Sequence, residues 1–162
     1  MTERDVIDSA AGLSSADPRF IARRLRPEFV EGAEICRTSV LAPKDDLGLS
    51  RALRAALARR MAALNDDAPL TAYYDAELTM SLPTEEELRL SRGETGLAEP
   101  LAAMAGHADL ITSDPSRASA EDIRRLERAG LTNPQIVALS ELIAFVNFQT
   151  RVVAGLRLMG AS

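Results

Sequence analysis

Tryptophan is absent from this chain of 162 residues, and there is one cysteine, one histidine and, among 19 basic residues, one lysine. Each scarcity closes off a class of chemistry. A single cysteine, Cys36, excludes an intramolecular disulfide and a cysteine-based metal cluster. A single histidine, His107, excludes a multi-histidine metal site, so neither a metal nor any other cofactor is expected. With aromatics at 4% and apolar residues at 46%, the interior must be built from Leu, Ala, Ile, Val and Met. Such a composition favours helices. The net charge of −5 is spread over interleaved acids and bases, which argues against a nucleic-acid partner. The nearest approach to a basic patch, Arg51, Arg54, Arg59 and Arg60, lacks interleaved aromatics and reads as a solvated helix face. No long apolar run exists: the longest, residues 142–148, is interrupted by Asn147 and falls far short of the ~20 residues that cross a bilayer. The opening stretch carries charges at Glu3, Arg4 and Asp5 and has the character of neither a signal peptide nor a transit sequence. A cytoplasmic protein with no membrane partner is the expectation.

What is present is helix punctuation. The length suits one domain over 1–162. A helical region runs to about Leu25, broken at Ala16-Asp17-Pro18, and Pro27 opens a helix that Ala42-Pro43 ends near Leu41. Phe29, Ala33, Cys36 and Val40 recur on it at helical steps and predict an inward stripe, with Cys36 a buried, inert thiol. Ser50 caps a helix to Leu64 whose stripe is Leu53, Leu57, Met61 and Leu64. Asn65-Asp66-Asp67 separates it from a helix carrying Leu70, Tyr74 and Leu78. Thr84 with Glu87 reads as a capping box, residues 93–96 as a loop, and Pro100 as the first turn of a helix with Leu101, Met104, Ala108 and Ile111 on one face. No segment alternates like a strand, so the predicted class is all-α.

The last two helices are the best marked. Ser119 and Asp122 predict a start, Gly130-Leu131 a left-handed stop, and Thr132, Pro134 and Gln135 a second start. The final helix is apolar almost all round, apart from a line of Ser140, Ala144, Asn147, Arg151 and Ala154. Such a helix belongs in a core or an oligomer interface. Asn147 and Arg151, one turn apart, suggest a buried polar pair or an anchor for a neighbouring helix.

Ala129-Gly130-Leu131-Thr132, the run from Ala144 to Phe148, Arg151 and Gly155-Leu156 resemble the closing helix of the carboxymuconolactone decarboxylase and alkylhydroperoxidase D-like superfamily, in its peroxidase-related branch. Residues 49–65 are similar to that family's central helix, and together the matches cover residues 49–78 and 119–159. The resemblance implies a compact multi-helix domain of the alkylhydroperoxidase D-like fold and a homo-oligomer. It also implies a redox site built on a Cys-x-x-Cys motif with a following His and a preceding Glu. A thiolate at a helix N-terminus is stabilised by the helix dipole, and a second thiol one turn on resolves it. Here Asp67 and Leu70 stand at the two Cys positions, Tyr74 at the His and Ala55 at the Glu. All four are replaced, so no dithiol cycle can run there.

Ala55, Asp67, Leu70 and Tyr74 are therefore the candidate pocket, with no catalytic residue assigned. Asp67 reads as an N-cap or, in a reshaped apolar pocket, a general base. Tyr73 and Tyr74 suit packing or a ligand wall, and His107 reads as a partly exposed side chain. Three functions follow from this. The favoured one is a binding or assembly protein without the redox thiols, associating with itself or with a thiol-bearing relative. The second is a non-redox enzyme on a small carboxylated or lactone substrate, using Asp67, Tyr74 and Arg151, which leaves a small-molecule ligand open. The third is a residual peroxidase-related antioxidant enzyme that would have to use Cys36.

Overall fold

Capping chemistry sets the helix boundaries. The computed structural model describes residues 4–160, so Glu3 and the outermost ends of the 1–162 span lie outside the described residues. Asp5 and Asp8 form a capping box at the start of α1 (Val6–Ala10), and Asp17 caps α2 (Pro18–Arg23). Pro27 then opens α3 (Pro27–Leu41). The Ser50 hydroxyl accepts the Leu53 amide at 3.0 Å to start α4 (Arg51–Leu64), and Asp67 does the same for Leu70 at 3.0 Å to start α5 (Ala68–Met80). The Thr84–Glu87 box opens α6 (Glu85–Ser91). Pro100 immediately precedes α7 (Leu101–Ser113), whose Ala103 amide is held by the Glu99 carboxylate at 3.0 Å. After a 3-10 turn at Pro115–Arg117, the Ser119–Asp122 box opens α8 (Ala120–Arg128). Gly130, at φ 99°, lets the Leu131 amide return to the Leu126 carbonyl at 3.1 Å and end α8. The Thr132–Gln135 box opens α9 (Asn133–Met159).

The protein is all-helical, with no strand among the described residues. α4 is its hub, packed against α3, α5, α6, α7 and α9. Ala52, Ala55, Ala56, Ala58 and Ala62 are all buried, and small side chains on so many sides of α4 let neighbouring helices come close. Leu57, Met61, Leu139, Leu142 and Ile143 join Ala55, Ala56, Ala58 and Ala62 in one continuous core. α9 is long and apolar enough to cross a membrane by length and composition alone, yet most of its apolar stretch is buried inside the protein, as in the core helix of a globular domain.

Four sequence expectations are corrected. Of the four stripe residues on α3 only Ala33 and Val40 are buried; Phe29 is 64% exposed and the Cys36 thiol is exposed, so half of the presumed inner stripe faces outward. Leu64, placed on the stripe of α4, is also exposed, because the helix ends there beyond the core. Of the four arginines only Arg51 is exposed as a solvated face requires. Arg54 is buried and donates to the carbonyls of Leu49, Val40 and Asp46 at 2.8, 3.0 and 2.9 Å, tying the end of α3 to the turn before α4. Arg60 clamps Asp109 through two bonds of 2.7 Å, and Arg59 bonds Asp75 at 2.9 Å. His107, finally, is buried rather than partly exposed.

Candidate functional site

Asp67 begins α5 at the floor of the α4–α5 hairpin, where the left-handed Asp66 (φ 55°) turns the chain. Its side chain is 3% exposed. Both oxygens are engaged. Oδ1 accepts the Leu70 amide at 3.0 Å and Arg157 Nη2 at 3.1 Å, while Oδ2 accepts Arg157 Nη1 at 2.9 Å. Arg157 comes from the last turn of α9 and also donates to the Ala10 carbonyl at 2.7 Å, so one guanidinium joins α9, α5 and the end of α1. A bidentate pair of this kind fixes geometry as well as charge.

Tyr74, two turns into α5, is fully buried and donates its hydroxyl to Gln149 Oε1 at 2.6 Å. Burial pushes its pKa far above the ordinary tyrosine value, with Tyr73 adding to the effect. A hydroxyl held neutral and already donating has no proton to relay at physiological pH. Tyr73 meets the Tyr74 ring edge-on at 5.0 Å and accepts Arg37 Nη1 at 2.8 Å. Ala55 and Leu70 are sealed in the core at 1% and 0% exposure. The structure thus brings the four candidate positions into one region and fills that region with side chains. On its outer side Asp67 also lines an open surface groove of about 400 Å³ with Arg59, Thr71 and Asp75. Arg151 is elsewhere, exposed on the outer edge of α9, so Asp67, Tyr74 and Arg151 do not converge on a common cavity.

Asn147 and Arg151 are not a pair either. Asn147 turns inward, accepts Asn65 Nδ2 at 3.2 Å and donates to Thr112 Oγ1 at 3.1 Å, stitching α9 to α7 and to the end of α4.

Sequence reasoning missed an open apolar feature. A cavity of about 570 Å³ lies between α3 and α9, walled by Phe29, Ala33, Cys36, Val40, Ala144 and Phe148. Two more, of about 540 and 490 Å³, lie on the other side of α9 toward α7 and α8. Ala144 lines all three, so the exposed edge of α9 runs between open grooves. The clue in the sequence was Phe29 and Phe148, two of only four phenylalanines, beside the small Gly32, Ala33 and Ala144. The groove beside Cys36 is lined by Glu28 and Glu141 but by no Arg, Lys or His, the cationic groups that activated thiols use. No group of three or more His, Cys, Asp or Glu side chains able to hold a metal occurs among the described residues. Comparison with known protein families and with curated proteins returns no match for this chain.

Proposed function

We propose that this chain is a binding or assembly protein on an alkylhydroperoxidase D-like scaffold, related to the carboxymuconolactone decarboxylase superfamily and lacking its thiol centre. One observation carries this reading. The position where the resemblance puts the reactive thiol holds Asp67, and that carboxylate is used up by Arg157 and by the first turn of α5. A helix N-terminus stabilises either a thiolate or a carboxylate, so the substitution keeps the charge complement while removing the nucleophile. Tyr74, at the proton-relay position, is likewise spent on Gln149. Polar groups that would do chemistry have become joints between helices, while the apolar surface around α9 is left open to an occupant.

The enzyme readings draw less from the geometry. A carboxylate-binding site would need Arg151 near Asp67 and Tyr74, and they share no cavity. A one-cysteine peroxidase would need a cation beside Cys36, and none lines its cavity. Purified protein supplied with an alkyl hydroperoxide and a dithiol reductant is expected to show no turnover above buffer, with or without Cys36→Ser. Turnover that survives Cys36→Ser and vanishes in a folded Asp67→Asn variant contradicts the reading, and so does turnover abolished by Cys36→Ser.

A further inference from the structure

We infer that the outer edge of α9 is a self-pairing seam, on which a second copy of the chain docks antiparallel about a two-fold axis between Ala144 and Phe148. The inference rests on the assembly reading and names its partner. Beginning at Val137, exposed positions on α9 recur at steps of four, three, four, three, four and three as far as Leu158. That is a spacing of 3.5, the period of helices that wrap one another, sustained over about 30 Å of helix. Residues this regularly exposed on the core helix of a domain form a face that its own fold leaves uncovered.

The order of side chains along the edge then selects the direction. In an antiparallel two-fold pair centred between Ala144 and Phe148, each Phe148 lies over the Ala144 of the other copy, large against small. The same register sets Val137 against Gly155. It also sets Glu141 against Arg151, twice by symmetry. Glu141 and Arg151 make no hydrogen bond or ion pair among the described residues, whereas the third charged side chain of α9, Arg157, is paired with Asp67. A parallel pair would instead put glutamate on glutamate, arginine on arginine and phenylalanine on phenylalanine. Opposite charges falling in register with a large-to-small match make a self-complementary surface, and like charges exclude the alternative.

Sedimentation equilibrium over a concentration series tests this. Wild-type protein is expected to be dimeric. Glu141→Arg and Arg151→Glu are each expected to weaken the dimer by about tenfold or more, and the double charge swap to restore it. Circular dichroism confirms that each variant is folded, and Phe148→Ala supplies an uncharged second probe that should also dissociate the dimer. A monomeric wild type up to about 100 µM, well above typical specific affinities, overturns the seam. A dimer indifferent to the single reversals, or a double swap that fails to restore pairing, also overturns it. These masses are independent of turnover: peroxide activity with an intact dimer removes the assembly reading alone, and a monomer without activity removes the seam alone.

Discussion

Arg157 and Arg151 sit fewer than two turns apart on one helix and meet opposite fates. Arg157 reaches inward to a carboxylate that is 3% exposed, closes it with two bonds and ties three helices together. Arg151 stays exposed on the outer edge and makes no hydrogen bond or ion pair among the described residues. The contrast extends to their surroundings. On the inner side Asp67, Tyr74, Gln149, Asn65 and Asn147 all find partners within the chain, so substitutions there should act on stability. On the outer side Phe29, Cys36, Phe148 and Arg151 face open grooves, so substitutions there should act on association. Polarity therefore does not locate function in this protein. Whether a polar group is already spoken for does.

The contrast is broken most directly at the two arginines. Removing Arg157 as Arg157→Met strands the Asp67 carboxylate, and the expected loss is about 2–4 kcal/mol in urea unfolding. The lower part of that range is favoured by the 36% exposure of Arg157, which lets water compensate. Arg151→Met should change monomer stability by no more than about 0.5 kcal/mol. Equal effects at the two positions would erase the distinction.

Tyr74→Phe sharpens it. Deleting one oxygen leaves Gln149 Oε1 buried without its donor, with an expected cost of about 1–3 kcal/mol by the same unfolding assay. A neutral result would mean that the Tyr74 hydroxyl is not a structural joint, which reopens a chemical role for it.

The smallest effect concerns pH. Burial pushes the His107 pKa down, against an opposing pull from Asp122, and Nδ1 has no hydrogen-bond partner among the described residues. The Arg125 guanidinium lies against the same turn of α7, beside Gly106, and adds no stabilisation to an imidazolium. With a folded pKa below the unfolded value of about 6.5, the unfolded chain takes up the proton first. Stability is then complete above that value and declines as pH falls through it toward the folded pKa. Melting temperatures measured across this window should fall in wild type and flatten in His107→Leu, with the slope unchanged by seam substitutions.

Much of the fold was legible because helix ends are local events. Ser50, Asp67, Thr84, Ser119 and Thr132 each announce a start through a side chain that reaches only two or three residues, and the structure uses every one. Which face of a helix is buried is not local. Phe29 and Cys36 share the periodicity of Ala33 and Val40, but only the latter two are buried. Arg54 reads as a surface charge until the carbonyls of Val40 at the end of α3 and of Asp46 and Leu49 in the following turn converge on it. The partners that settle the candidate site, Gln149 for Tyr74 and Arg157 for Asp67, lie 75 and 90 residues away in the chain. No spacing rule reaches that far, so Asp67 and Tyr74 could be named as candidates without their roles being visible.

The central claim is that the inner carboxylate holds the fold while the outer edge of α9 holds the assembly. Sedimentation equilibrium on Asp67→Asn and Glu141→Arg, run side by side at one concentration, sets the two against each other. At a concentration near the wild-type dissociation constant, the account predicts the wild-type average mass for folded Asp67→Asn and a mass shifted toward a single chain for Glu141→Arg. A monomeric Asp67→Asn that is still folded, beside a dimeric Glu141→Arg, would contradict it.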